Sequence, residues 1–273
     1  MLSRPASDTQ ITHARRLWLY LLCALICIFL MAPSLIVIPM SFSGTKFLRF
    51  PPESWSLQWY AAYFGSIEWR EATAISFKAA VLTTLLATPA GTMAAYGIHV
   101  SRTRFAALLQ VVMTMPLMIP VILIGIGVFF LYARIGLNNT LTGLVLAHTI
   151  LAIPFVVVTV SAGLKSFDMN QEMVARSLGA SRARAFFTVT LPQIRFSVLS
   201  GALFAFITSL DEVVIAIFVA RGDSSTLTRR MFAFLRDQVD PTIAAISSLL
   251  IGVSVVLLIV YVILEQRSSR GRR

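Results

Sequence analysis

The stretch EMVARSLGASRARAFFTVTLP (172–192) lies between two strongly apolar segments, one ending near Lys165 and the other starting near Phe196. It belongs to a polar segment that is rich in arginine and holds a single glycine, Gly179. Because the chain is otherwise very hydrophobic, this segment must lie outside the apolar part of the protein. Its internal pattern predicts how it folds.

The polar segment reads as two short helices. Asp168 is placed to cap the first, and Gln171 three residues later completes a pattern like a capping box. Gly179 suits the left-handed residue that ends this helix, and Ser181 is placed to cap a second, arginine-rich helix that stops near Pro192. Helices this short are marginal alone, so we expect a partner outside the chain to complete them. The alternative is a solvated basic loop held by lipid phosphates.

The composition of the whole chain excludes a soluble domain. Its mean hydropathy is +0.82, and 57% of its residues are hydrophobic while only 13% are charged. Charged residues make up about a quarter of a soluble domain. The charges are clustered, so the formal net charge of +11 fits anionic lipid and membrane orientation rather than nucleic acid.

Six segments are long and apolar enough to cross a bilayer core of about 30 Å, which needs roughly 20 residues in helix. They cover about 17–41, 72–97, 105–132, 141–164, 196–219 and 242–264. Each must be helical because a backbone in lipid has to satisfy its own hydrogen bonds. The prediction is an all-α membrane protein in which residues 17–264 form one transmembrane domain.

Lysine and arginine counts predict how this bundle is oriented. Six spans leave both termini on one side, whose loops and tails carry 14 of the 23 Lys and Arg residues. Eight lie on the other side and one, Lys78, lies within a span. By the positive-inside rule the richer side is cytoplasmic. It contains the N-terminal segment 1–16, the loop 165–195 and the basic tail 265–273.

Ionisable and aromatic side chains within the spans are the candidate transport residues. Asp211 and Glu212 fall in the fifth span, where a central charge costs at least about 2.5–3.5 kcal/mol and usually faces the bundle interior or water. One or both would lower the barrier for a cationic cargo; alternatively, they form structural pairs with Lys78 or an outer-loop arginine. Phe129 and Phe155 are candidates for lining the same pathway through cation–π contact, and they serve equally well as packing residues.

The sequence predicts no catalytic, cofactor or metal site. His148 in the fourth span is expected to be a hydrogen-bonded interior residue rather than a proton relay. Three scattered histidines and two cysteines one helical turn apart provide no metal ligand set. The chain contains neither the phosphate-binding pattern G-x-x-x-x-G-K-[ST] nor the nucleophile pattern G-x-S-x-G. The energy for any uphill transport must therefore come from a partner.

The polar segment resembles the cytoplasmic loop signature of ATP-binding-cassette (ABC) importer membrane subunits. That signature reads Glu-Ala-Ala, three residues, Gly, nine residues, Ile, one residue, Leu-Pro. Here Gly179 occupies the glycine position, Val189 stands at the isoleucine position, and Leu191-Pro192 closes the pattern. The spacing from the glycine to the proline is intact.

The first part of the signature departs from the family pattern. Met173 occupies the Glu position, with Glu172 one residue earlier, and Val174 and Ala175 occupy the two Ala positions. Any role of the Glu itself is therefore open. The resemblance assigns ATPase coupling to this loop, with the candidate residues Glu172, Met173, Ala175, Gly179, Ala180, Ser181, Leu191 and Pro192.

Further stretches are similar to the spermidine/putrescine branch of these importers, and closest to its second membrane subunit. They are IPFVVVTVSAGLKSFD (153–168), SLGAS (177–181), SLDEVVIAIFV (209–219) and VDPTIAAISSLL (239–250). The resemblance implies the six-helix bundle of a type I ABC importer permease, with a cytoplasmic coupling helix in the loop 165–195. It also implies a non-enzymatic subunit of a bacterial inner membrane that moves a polyamine-like cation.

The same resemblance implies the partners. They are a cytoplasmic ABC ATPase dimer, a second and related permease subunit, an extracytoplasmic substrate-binding protein and membrane lipids, with no nucleic acid. Three alternatives stay open at this point. The cargo is another small nutrient of the amino acid, opine or metal type, or the chain is a secondary transporter or channel that works alone, or it is a membrane-embedded enzyme.

Overall fold

The computed structural model describes residues 16–47, 49–101, 103–237 and 240–270, without the side chains of residues 223 and 267–270. This part of the chain is almost entirely helical and contains one isolated β-bridge, between Ser43 and Trp55. Its helices are α1 (Leu17–Met40), α2 (Gln58–Gly65), α3 (Ile67–Ser101), α4 (Arg104–Thr114), α5 (Val121–Ile135), α6 (Leu141–Ser166), α7 (Asn170–Ser177), α8 (Arg182–Ala185), α9 (Leu191–Asp211), α10 (Val214–Val219), α11 (Leu227–Asp237) and α12 (Thr242–Arg270). The predicted all-α fold is confirmed.

Five helical runs in the described ranges are long and apolar enough to cross a membrane. They are α1, α3, α6, the run Arg182–Asp211 that ends with α9, and α12 as far as Gln266. α4 and α5 make a sixth span only as a broken pair, bent by 95°. α1, α3, α6 and α12 overlap the segments predicted at 17–41, 72–97, 141–164 and 242–264.

The segment predicted as one span at 105–132 is two helices. A 3₁₀ turn at Met115–Leu117 follows α4, and α5 begins only after Pro120. Pro116 and Pro120 have no amide hydrogen, and the ring of each clashes with the preceding helical turn. Two prolines four residues apart therefore break this span, whereas the single prolines inside α3 and α6 leave those helices continuous.

The segment predicted at 196–219 is also wrong as a single helix. α9 ends at Asp211, because Glu212 is extended with ψ 120°, and α10 follows after a short break. At its other end the helix starts earlier than predicted. Helical backbone runs from Arg182 through a π-helical turn at Phe186–Thr190 into α9.

The chain divides into two compact units. One comprises α1, α2 and the start of α12, and the other comprises α3 to α11 and the rest of α12. In the first unit the loop after α1 packs on α2: the Ser41 and Tyr60 hydroxyl oxygens are 2.7 Å apart, and the Trp59 indole donates to the Ser43 carbonyl at 2.7 Å. No residue of α1 is buried.

The second unit has α6 at its centre, with α3 and α9 packed against it. Small residues allow the close approach, as is usual for membrane helices. A Cβ on Gly91 of α3 would lie 2.7 Å from Val156 Cβ, and one on Gly201 of α9 would lie 3.2 Å from Val156 Cα. The buried core around this crossing contains Ala87, Ala95, Ala152, Val156, Val160, Leu164, Ile194 and Ala205. These three helices hold the loop 165–195 at one end and the acidic pair Asp211 and Glu212 at the other.

Candidate functional site

Local hydrogen bonds and backbone conformation shape the loop 165–195 at the three positions that the sequence suggested. Asp168 Oδ1 accepts a hydrogen bond from the Asn170 amide at 3.0 Å, just before α7. Gly179, which follows α7, has φ +93°, a left-handed value that favours glycine. Ser181 Oγ accepts from the Arg184 amide at 3.3 Å and caps α8. The loop therefore has defined ends around α7.

Two details of the predicted loop are wrong. Gln171 does not complete a capping box, because its Oε1 accepts a hydrogen bond from Gln193 Nε2 at 2.6 Å. Pro192 does not stop the second helix. It is the second residue of α9, and the preceding π turn closes with the amide of Leu191 donating to the Phe186 carbonyl. Pro192 thus lies inside a continuous helical run, directly after the π turn that interrupts the regular α-helical hydrogen-bond pattern.

Three apolar side chains stand exposed on α7 and at the residue that follows it. Met173 is 53% exposed, Val174 is 59% exposed and Leu178 is 84% exposed. Val174 and Leu178 are one helical turn apart and therefore lie on one face. We call these three residues the apolar loop surface. Exposed apolar groups of this kind mark interaction sites.

Glu172 is the exception in α7 because it points into the protein. It is only 2% exposed. The Tyr96 hydroxyl of α3 donates to its Oε1 and the Thr190 hydroxyl donates to its Oε2, both at 2.5 Å. Met173, at the position where the signature has its Glu, is exposed instead. The other candidate loop residues divide into half-buried Ala175, Ala180 and Leu191 and exposed Gly179, Ser181 and Pro192.

Glu212 caps the short helix α10. Its carboxylate accepts hydrogen bonds from the backbone amides of Val214, Ile215 and Ala216 at 3.0, 2.8 and 3.3 Å. Its carbonyl accepts from the Thr228 hydroxyl at 3.0 Å. The carboxylate thus satisfies amides that the break after α9 leaves without helical partners.

A buried polar network adjoins this cap. His148 is 1% exposed, its Nδ1 lies 2.8 Å from Ser209 Oγ, and its Nε2 lies 3.8 Å from Glu212 Oε2. Ser209 donates to Thr83 Oγ1 at 3.4 Å. The prediction of a hydrogen-bonded interior histidine is confirmed. Sequence reasoning missed Ser209 and Thr83, since hydroxyl groups are common in spans and nothing local marks these two as partners.

Asp211 differs from its neighbour because it is exposed at the end of α9. The alternative that the acids pair with Lys78 or an outer-loop arginine is wrong for the residues that the structure describes, where no lysine or arginine forms an ion pair with Asp211 or Glu212. Lys78 is exposed on α3.

The two aromatic candidates, Phe129 on α5 and Phe155 on α6, are half-buried. The ring centroid of Phe129 lies 5.7 Å from that of Phe130, and the ring centroid of Phe155 lies 6.2 Å from that of Phe204.

Comparison with known proteins identifies the family. Residues 87–270 match the family described as binding-protein-dependent transport system inner membrane component. The chain belongs to this family. The permease is 30% identical over 231 residues to the putrescine transport system permease protein PotI of Escherichia coli K12, covering 82% of each chain. It is 26% identical over 243 residues to the spermidine/putrescine transport system permease protein PotC of the same strain, covering 89% of this chain and 92% of the relative.

A solved structure shows the same fold. The permease superposes on a chain of the bacterial alginate ABC transporter, crystallised with an alginate pentasaccharide-bound periplasmic protein, with a TM-score of 0.69 at 16% identity. The match covers 94% of the permease and 96% of that chain. The predicted ABC importer permease fold is confirmed. The permease is therefore a multi-pass transport subunit of the inner membrane rather than an enzyme.

Proposed function

We propose that this permease forms the translocation pathway for a polyamine-like cation and is driven by a separate cytoplasmic ABC ATPase dimer through the loop 165–195. The observation that supports the coupling is the apolar loop surface, formed by Met173, Val174 and Leu178. An exposed apolar helix face is suited to binding in a groove of a partner protein. The caps on both sides of α7 make the loop stiff enough to pass on a force.

The further partners follow from the same role. We propose a second, related permease subunit that completes the pathway, and an extracytoplasmic binding protein that delivers the cargo. The unburied surface of α1 is available to lipid and to such a second subunit. We propose that both termini lie in the cytoplasm, as the charge counts predict. Residues 1–15 and 271–273 of these terminal segments lie outside the described residues.

Two observations support a polyamine-like cation as the proposed cargo. PotI and PotC are named for putrescine and spermidine/putrescine transport, and Asp211 offers an exposed carboxylate at the end of a membrane helix. A carboxylate at the end of a membrane helix attracts a cationic amine and repels anions. Phe129 and Phe155 are proposed as pathway residues because aromatic faces attract ammonium groups. Glu212 has a structural role in the proposed pathway: it caps α10, because its carboxylate already accepts hydrogen bonds from backbone amides.

The coupling proposal is tested by Leu178→Asp. This change puts a charge on the most exposed residue of the apolar loop surface, where docking of an apolar partner would have to desolvate it. We expect co-purification of the ATPase with the permease to fall by at least about tenfold, because burying an unpaired charge costs more than 1.4 kcal/mol. Leu178 is exposed, so the yield and thermal stability of the permease should not change.

Leu235→Asp is the matched control. Leu235 is an exposed leucine of α11, 54% exposed, in the loop between α10 and α12 that we place on the outer side. This variant should retain the ATPase fully. Equal retention of the ATPase by both variants would contradict docking at the apolar loop surface. Transport by the purified permease in liposomes without any ATPase would contradict the role as a whole.

A further inference from the structure

A buried acid in a loop that otherwise faces solvent needs an explanation. Glu172 sits in α7, whose neighbouring positions 171, 173 and 174 are all exposed, yet Glu172 itself is 2% exposed. Removing a carboxylate from water costs several kcal/mol unless hydrogen bonds replace the lost hydration. The fold supplies such bonds here from two separate helices.

The hydrogen bonds to Glu172 are short and reach far along the chain. The Tyr96 hydroxyl and the Thr190 hydroxyl each donate to a different carboxylate oxygen at 2.5 Å. Hydroxyl-to-carboxylate bonds of this length belong to the strong, charge-assisted class. Tyr96 lies near the cytoplasmic end of α3, and Thr190 is the last residue of the π turn that leads into α9. We call these three side chains the Glu172 tie.

Tyr96 is also held by the rest of the loop. Its ring packs on the Phe186 ring at a centroid distance of 4.6 Å, and the Arg182 guanidinium lies 6.0 Å from its centroid. On the other side of α7, Gln193 of α9 donates to Gln171 at 2.6 Å. The end of α3 is therefore fixed to the loop by contacts with α7, α8 and the π turn.

We propose that Glu172 is a positioning residue that ties α7 to the inner ends of α3 and α9, so that a force on α7 moves both helices together. This inference rests on the proposed function, which supplies the force. Along the backbone, α7 is joined only to α6 and α8, and the connection to α8 passes through the left-handed Gly179. The Glu172 tie adds α3, which is distant in sequence. Because α3 and α9 both pack on α6, the three core helices then respond as one body.

The tie also separates two roles within α7. The apolar loop surface faces outward for docking, while Glu172 faces inward and makes no contact with a docked partner. Loss of the tie should therefore uncouple movement without releasing the ATPase. Loss of the apolar loop surface should release the ATPase.

The tie itself is tested on the purified full chain in detergent. We expect Glu172→Ala to speed amide hydrogen exchange of residues 170–177 by about tenfold, since two charge-assisted bonds are lost. Tyr96→Phe and Thr190→Val each remove one donor and should give smaller increases. Thr188→Val is the matched control, because the Thr188 hydroxyl bonds to the Arg184 carbonyl of its own helix at 2.7 Å. It should leave exchange of α7 unchanged.

Transmission is tested on the complex with the ATPase, trapped with ATP and vanadate. In the wild type and in Thr188→Val we expect trapping to change amide exchange at the inner end of α3, residues 93–101. In Glu172→Ala and Tyr96→Phe this change should fall at least about threefold, with ATPase retention and its KM for ATP unchanged. A residue that only stabilised the fold would lower retention and yield and would leave this response intact in the molecules that assemble.

Two results would overturn the tie. One is α7 exchange in Glu172→Ala equal to that of the wild type, and the other is a full response of α3 in both tie variants. If the wild-type chain retained no ATPase, the proposed function would be contradicted, and the exchange of the isolated chain would still decide whether the tie holds α7.

Discussion

Two adjacent carboxylates at the end of α9 have different environments. Glu212 accepts three backbone amides and has a side chain that is 7% exposed. Asp211 is exposed, and no hydrogen bond to its side chain is found among the described residues. A carboxylate whose oxygens already accept several hydrogen bonds binds a further cation less readily. Asp211 is therefore the acid that we expect to act on cargo.

Asp211→Asn tests this assignment. The change keeps the shape of the side chain and removes its negative charge, so attraction for a cationic amine weakens. We expect uptake of labelled putrescine by liposomes that hold the whole importer and its binding protein to fall about tenfold, while ATPase retention stays at the wild-type level.

Asp237→Asn is the control for this experiment. Asp237 is an exposed acid at the end of α11, outside the membrane-spanning helices, and its loss should leave uptake close to that of the wild type. Wild-type uptake kinetics in Asp211→Asn would remove Asp211 from the pathway.

At the scale of elements, the break between α9 and α10 depends on one side chain. α10 has six residues and cannot satisfy its first amides within its own turn. The Glu212 carboxylate accepts hydrogen bonds from three of these amides and lies beside buried His148 of α6. The break is therefore stabilised by contacts among α6, α9 and α10. The Glu212 cap therefore stabilises the start of α10 within the apolar region.

Glu212→Ala should destabilise the permease. A lost helix cap costs about 1 kcal/mol, and the amides left behind are poorly hydrated, so we expect a fall in the thermal denaturation midpoint of several degrees in detergent. Glu53→Ala is the control, because Glu53 forms an exposed pair with Arg49 and such pairs contribute little. Equal midpoints for the two variants would contradict the capping role.

Sequence reasoning succeeded where the cause is local. The left-handed Gly179 and the Ser181 cap depend on residues within one helical turn, so the pattern was enough. It failed where the partner is distant. The inward direction of Glu172 depends on Tyr96, which is 76 residues away, and the break after Asp211 depends on tertiary packing around Glu212. Apolar content alone cannot distinguish a continuous span from a broken one.

At the scale of the whole molecule, charge distribution predicts the orientation in the membrane. The loops and tails on one side carry 14 of the 23 Lys and Arg residues and those on the other side carry eight. Positive residues near span ends are retained on the cytoplasmic side. This predicts that the loop 165–195, with its apolar loop surface, faces the cytoplasm, where we propose that the ATPase binds. The same count predicts that α11 lies on the outer side; in this helix Arg230 donates a hydrogen bond to Glu68, and Phe234 packs on Trp69 at 5.0 Å.

Single cysteines at two exposed leucines test this orientation. In a chain whose Cys23 and Cys27 are replaced by serine, Leu178→Cys and Leu235→Cys each provide one accessible thiol, because the leucines are 84% and 54% exposed. A maleimide that cannot cross the inner membrane should label Leu235→Cys in spheroplasts and should label Leu178→Cys only after the membrane is permeabilised. The reverse pattern would place the loop outside the cell, away from any source of ATP, and coupling through α7 would then be physically excluded.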